Sequence, residues 1–426
     1  MITRIEVNRY RCLENVGVDL PRYAVLVGAN SAGKTTFLDI PRLVGDCLRQ
    51  PDITNAFLQR QQGRSPRCSR LSELIFCSLG QEFFIAIEAA LSEEVVRGLI
   101  DGLPASQRDE DNWPKNIRYE LRLGIFNERQ VQVKNEYLFL FSSKNQPERN
   151  GARLYGEIPH RNWRFIISRE YGRDAQFRVE TQRGVKSRPT KVEPSMLALP
   201  RVQFESKEDF PAASWFYNLL TQNYLFYEPE LKALQAALPP GQPDGLLPSA
   251  INLPHLALAL QQQDPFRFNL WQEHVKSALP NIKEIKLEER KEDHHVYFYI
   301  SYQGYREYDV TSSGLSEGTL RILALTILPY LNNLPAIIFL EEPENGIHPG
   351  AIEAVLQSLS SAYNSQVLFS SHSPVVLANS ELSQLLCFRL DSSGAASIVN
   401  GVDHPQLKEW KGQIDLGALL ATGVLG

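Results

Sequence analysis

The chain lacks any closely spaced pair of cysteines. Its five, Cys12, Cys47, Cys68, Cys77 and Cys387, are scattered over 426 residues. That pattern supplies neither a zinc-ligand spacing nor a disulfide framework, and it fits a reducing, cytoplasmic compartment. No stretch approaches the ~20 apolar residues that a membrane span needs. The opening MITRIEVNRYRCLENV alternates like a strand and has no apolar centre of the signal-peptide kind. Positive charge is not in excess either: 44 Lys and Arg stand against 49 Asp and Glu. A general basic coat for nucleic acid is thereby excluded, and only a local patch stays open. Internal repeats and heptad runs are absent, so no long coiled-coil arm is expected.

What is present reads as a globular protein long enough for two or three compact units. ITRIEVNRY and YAVLVG are expected as strands, followed by a helix from about Gly33. Pro41 falls inside that helix, where it costs roughly 3 kcal/mol, so a kink or early break is expected there. Residues 50–70, with QRQQGRSPRCSR at the centre, read as a polar, basic loop. From 72 to 185 short alternating runs (EFFIAIEA, IRYELRLGIF, EYLFLFSS, WRFIISRE, AQFRVET) point to an antiparallel β lobe. QRGVKSRPTKVEP reads as a linker, and residues 203–280, including ASWFYNLLTQNYLF and LWQEHVKSAL, as helical. IKEIKLEE and HVYFYISY are strand-like, as are LPAIIFLEE, SQVLFSSHS and SQLLCFRLD in the last quarter. The two ends of the chain are therefore expected to form one α/β nucleotide-binding sheet interrupted by a long insertion.

GANSAGKTT, Gly28 to Thr36, satisfies G-x-x-x-x-G-K-[ST] in full, after an apolar strand and at the mouth of a helix. Its glycines let backbone amides curl around phosphate oxygens, and the helix N-terminus adds positive potential. The nucleotide contacts are assigned to Gly28, Asn30, Ser31, Ala32, Gly33, Lys34, Thr35 and Thr36. Lys34 is expected to reach the β- and γ-phosphates and Thr35 to hold Mg²⁺. In AIIFLEEPENGIHP a buried strand ends in Glu341 and Glu342, whose side chains leave on opposite sides. Glu341 is assigned to the Mg²⁺ shell and Glu342 to polarising the attacking water. His372, just after another apolar strand in VLFSSHSPVVL, is placed at the γ-phosphate or the catalytic water.

A further stretch, SSGLSEGTLRILAL, breaks from Ser and Gly into an apolar helix. Taken with the P-loop, the acidic pair and the histidine, its LSEGT resembles the LSGGQ signature of ABC-type ATPase heads, on Leu315-Ser316-Glu317-Gly318-Thr319. The resemblance implies that two heads face each other and that Ser316 and Gly318 of one cap the ATP held by the other. Glu317 stands where the family has glycine; it is expected to point away from phosphate, capping the helix. Glu341 stands where most related ATPases carry Asp. EEPENGIHP and RYRCLENVGVDL resemble the RecF/OLD-like ATPases of the SMC-related branch. The implied fold is α/β: a P-loop ABC-type head with an antiparallel β lobe and a helical lobe inserted between the Walker A and signature motifs. The divisions are 1–50, the first part of the head; 51–200, the β lobe; 201–282, the helical lobe; and 283–426, the rest of the head. Gln81 is the candidate for the family's glutamine loop.

The resemblance implies a slow, ATP- and Mg²⁺-dependent ATPase that forms a homodimer or higher oligomer and gates a separate effector, a nuclease or toxin in anti-phage defence. The alternatives are a RecF-like repair ATPase that binds DNA directly and an ATP-binding scaffold with negligible turnover. A TOPRIM nuclease domain, common in OLD-like proteins, is not expected, since the segment after His372 holds no strand-then-Glu with Asp-x-Asp. Two basic stretches are candidates for DNA contact: Arg60, Arg64, Arg67 and Arg70, and then Arg183, Lys186, Arg188 and Lys191. Asp293–His295 reads as a hairpin turn rather than a metal site, and WKGQIDLGALLATGVLG as an apolar segment that packs on the core or docks a partner.

Overall fold

The computed structural model describes residues 1–61, 63–101, 110–149, 151–158, 160–181, 187–205, 208–304 and 306–408. It contains two compact units: Met1–Pro21 with Ser31–Asn223 and Phe388–Val399, and Arg22–Asn30 with Tyr224–Cys387 and Asn400–Gly426.

The chain opens with strands β1 (Ile2–Tyr10), β2 (Leu13–Asp19) and β3 (Tyr23–Gly28). In the first unit β1 pairs antiparallel with β2 and with β4 (Glu82–Ala90). The ladder continues through β5 (Asn116–Phe126), β6 (Gln130–Phe141), β7 (Arg164–Glu170), β8 (Ala175–Phe177) and β9 (Arg188–Thr190). The order is β2-β1-β4-β5-β6-β7-β8-β9. The first strand therefore belongs to the β lobe, not to a sheet shared by the two chain ends. Its alternation misleads because the polar face is buried. Arg4 and Glu6 are 2% and 0% exposed, and Arg118 on β5 ion-pairs with Glu6, Glu88 and Glu120 at 2.6–2.7 Å. Buried charge of this kind persists only when paired.

Helix Lys34–Arg49 runs unbroken through Pro41. Phe37, Leu38, Ile40, Leu43 and Val44 are all at most 1% exposed, and burying such side chains at about 1.5–3 kcal/mol each outweighs the proline penalty. The expected loop at 50–70 is partly core: Ile53, Ala56 and Phe57 are 0% exposed, and the Thr54 hydroxyl accepts from the Val131 amide at 3.0 Å.

The second unit takes in β3 and resumes at β10 (Tyr224–Phe226); it holds an antiparallel sheet of β11 (Ile282–Glu289), β12 (Val296–Tyr302) and β13 (Tyr308–Thr311). Its parallel sheet also contains β14 (Ile337–Glu341) and β15 (Gln366–Ser371), in the order β10-β14-β15-β3, with β16 (Leu385–Leu390) following β3. ASWFYNLLTQNYLF is thus not one helix. The helix ends at Thr221, and Leu225 pairs with Ile338 at the edge of the sheet. Edge pairing is a non-local gain that helical spacing cannot report. Helices Leu253–Gln263, Pro265–Ala278, Glu317–Thr326 and Pro349–Ser360 contribute to one core with Val25, Val27, Ile338, Leu340, Val367 and Phe369.

Candidate nucleotide-binding and hydrolysis site

The phosphate loop leaves β3 at Gly28 and enters a helix at Lys34. Gly28 and Gly33 have φ of 148° and 98°, and Ser31 has φ 65°, so the turn uses backbone conformations that favour glycine. A side chain at Gly33 would also place its Cβ 2.9 Å from Cys12 Sγ. Gly33 is the N-cap and supplies no side-chain cap, leaving the helix N-terminus suited to an anion. Asn30, Ser31 and Thr35 are exposed, Thr36 is half-buried, and Ala32 and Lys34 are buried. Burial pushes the Cys12 thiol up, against a hydrogen bond from Thr36, which disfavours its thiolate form.

The acidic half lies where β14 and β15, parallel neighbours, release their loops. Glu341 ends β14 and is exposed. Glu342 takes a left-handed φ of 45°, and its amide donates to the Ser370 carbonyl at 2.9 Å. That local turn lets the two adjacent acids diverge. The Glu342 carboxylate is held at both oxygens: His372 Nδ1 lies 2.8 Å from Oε1, and Asn345 Nδ2 donates to Oε2 at 2.7 Å. A carboxylate with a partner at each oxygen is held in a fixed orientation, as a general base requires. Glu341 and the Thr35 hydroxyl are each oxygen donors of the type Mg²⁺ takes.

The signature segment caps its own helix. Ser316 is the N-cap of helix Glu317–Thr326, with its hydroxyl accepting from the Thr319 amide at 3.2 Å. The cap is therefore Ser316 and not Glu317, which is the first helical residue and exposed. There its charge complements the helix dipole. Gly318 is needed within the unit, because a Cβ there would lie 2.7 Å from the Gly346 carbonyl oxygen.

Other expected residues fall elsewhere. Arg67 is largely buried, its side chain 9% exposed and paired with Asp39 and Asp46 at 2.6 and 2.7 Å, and is withdrawn from any surface patch. Arg60 and Arg70 are exposed, and Arg188 faces Glu205 at 3.8 Å. Arg183, Lys186 and the segment WKGQIDLGALLATGVLG lie outside the described residues. Gln81 is exposed immediately before β4. Asp293–His295 forms the turn between β11 and β12, with His294 at φ 58°. Among the described residues no group of three or more His, Cys, Asp or Glu is arranged to hold a metal, and no helix is long and apolar enough to cross a membrane.

Sequence reasoning missed three residues: Asn345, Glu344 and Ser371. PEN follows the acidic pair directly, so proximity was the available clue; which of its side chains turns inward depends on the Glu342 turn. Glu344 is 7% and Ser371 0% exposed, and they share a hydrogen bond of 2.5 Å.

Residues 24–378 match the family described as "AAA domain, putative AbiEii toxin, Type IV TA system". No curated protein matches the chain. Among solved structures it is similar to an SMC head bound to the C-terminal winged-helix domain of ScpA, at 12% identity and TM-score 0.48, covering 93% of this chain and 97% of that one. It is also similar to the SMC head domain of Thermotoga maritima, at 11% identity and TM-score 0.43, covering 94% and 98%. A third similarity is to an Smc head with extended coiled coil bound to the C-terminal domain of ScpA from Pyrococcus furiosus, at 14% and TM-score 0.41, covering 93% and 95%.

Proposed function

We propose that this chain, which belongs to the family of AAA domains described with the putative AbiEii toxin of a type IV toxin–antitoxin system, is an ATP-hydrolysing head that dimerises and gates a separate effector. Gly28–Thr36 binds the triphosphate, and Lys34 compensates its charge. Thr35 and Glu341 hold Mg²⁺. Glu342 accepts the proton of the attacking water, with His372 and Asn345 fixing its carboxylate. Ser316 and Gly318 of one head close over the nucleotide of the other. The observation that carries the reading is the Glu342 carboxylate gripped at 2.7 and 2.8 Å on its two oxygens, beside a full P-loop motif in the sequence. A site that only bound nucleotide would have no need of an oriented base, so hydrolysis is favoured over a scaffold without turnover.

The effector role is supported by the toxin-system description of the family, and among the described residues no group of three or more His, Cys, Asp or Glu is placed to hold a metal of the kind a metal-dependent nuclease centre uses. A nuclease or toxin is the proposed partner, in anti-phage defence. The test uses Glu342→Gln, which keeps the shape but not the basicity. It should bind ATP, hydrolyse it very slowly and accumulate as an ATP-dependent dimer that captures the effector from native cells only with nucleotide. Turnover near that of the wild type would remove the base assignment. Turnover stimulated by DNA ends or gaps, with no nucleotide-sensitive protein partner, would transfer the function to RecF-like repair.

A further inference from the structure

Glu342 and His372 sit on two separate loops and are partly exposed, at 31% and 49% of their side chains. Burial alone does not hold them in register. Beneath them lies a second acid. The Glu344 carboxyl turns inward, and its Oε1 accepts from the Ser371 hydroxyl at 2.5 Å. The same Ser371 oxygen accepts from the Ser373 amide at 3.0 Å. His372 is thus bracketed by two residues of one hydrogen-bonded unit, and that unit is anchored two residues beyond Glu342. Glu344 Oε2 has no hydrogen-bond partner among the described residues. A buried, half-satisfied carboxyl is costly to keep, and apolar packing at this place could not accept from the Ser371 hydroxyl.

We propose that Glu344 and Ser371 form a buried positioning pair that holds the Glu342 loop and the His372 loop in the register hydrolysis requires. The inference rests on the reading of Glu342 as base with His372 as its partner. Neither Glu344 nor Ser371 touches nucleotide in this scheme; they act through the 2.8 Å contact between His372 and Glu342. Burial pushes the Glu344 carboxyl up, against the Ser371 hydrogen bond, which makes glutamine a close stand-in for it.

The experiment compares full-length Glu344→Ala, Glu344→Gln and Ser371→Ala with wild type, and repeats Glu344→Ala in a His372→Ala background. Kd for a fluorescent ATP analogue, kcat and hydrogen–deuterium exchange of segments 342–348 and 370–373 are measured. Glu344→Ala and Ser371→Ala should lower kcat by about 10- to 100-fold, the scale of a small misplacement at a reacting centre. Kd should stay within about twofold, and Glu344→Gln should restore most of the rate. Without His372, Glu344→Ala should add less than about a twofold further loss, since both changes disable one unit. Exchange in 370–373 should rise in the alanine variants and stay at the wild-type level in Glu342→Gln. Unchanged kcat and exchange in both alanine variants, a fully multiplicative loss with His372→Ala, or an increase in Kd as large as the fall in kcat would overturn the pair. If Glu344→Ala does not fold, Ser371→Ala and Glu344→Gln decide by the same criteria. Normal turnover of Glu342→Gln, by contrast, would remove the base reading and leave the exchange result for the pair standing.

Discussion

Arg67 is where residue identity and residue role separate most. Along the chain it is one of four arginines in a polar stretch. In the fold its side chain is 9% exposed, between Asp39 and Asp46, which also pair with Arg42 and Arg49. Burial alone would raise the Asp39 carboxyl, but the Arg67 guanidinium holds it below its ordinary range. Arg67→Ala leaves two buried carboxylates with one partner each, and should lower the unfolding free energy by about 3 kcal/mol, the lower end for a broken buried pair. Arg60→Ala and Arg70→Ala should change it by less than about 0.5 kcal/mol, as exposed sites do. Urea unfolding of the three variants distinguishes them; equal effects would contradict the buried placement of Arg67.

At the scale of elements, a comparable device fixes helix Pro211–Thr221. Phe210, its N-cap, offers no side-chain cap, and the need is met from a distance. Glu180 accepts from the amides of Ala212 and Ala213 at 2.7 and 2.8 Å. Burial nonetheless dominates and pushes this carboxyl from an ordinary 4.5 up to about 7, against those two amides. The folded state therefore holds a proton that the unfolded chain has released between about pH 4.5 and 7. Stability should fall as pH rises through that window, because the native state there binds more protons than the unfolded one. Glu180→Gln removes this titration. Relative to wild type it should gain stability from pH 5 to pH 8, on the order of a few kcal/mol. Denaturant midpoints for both proteins at the two pH values check this; a pH-independent difference would show that Glu180 is ionised throughout.

At the scale of the whole molecule the decisive claim concerns two copies. Ser316 already satisfies the Thr319 amide within its own helix, and in the proposed scheme it acts on the nucleotide of a second head. Lys34→Ala and Ser316→Arg should each be inactive as pure proteins. Mixed, they should recover part of the activity, because in an isologous dimer one composite site then joins an intact phosphate loop to an intact signature. Phosphate release from the mixture, with heterodimers shown by mass, is the measurement. No recovery would place the signature outside the site of the partner head.

The local geometry was legible from residues alone. A phosphate-loop motif is a backbone turn set by glycines at fixed offsets, so the strand, turn and helix around Gly28–Thr36 could be read directly, and so could the two acids at the end of an apolar strand. Alternation located β4 to β8 for the same reason: side-chain direction along a strand is a local property. Tertiary structure decided what depends on partners far along the chain. It assigned β1 to the antiparallel sheet, carried the helix through Pro41, and turned Tyr224–Phe226 into an edge strand. It also drew Arg67, Glu180 and Glu344 inward. In each case a charge or a break that reads as solvent-facing along the chain is offset by burial or pairing with residues distant in sequence, and no local pattern encodes that balance.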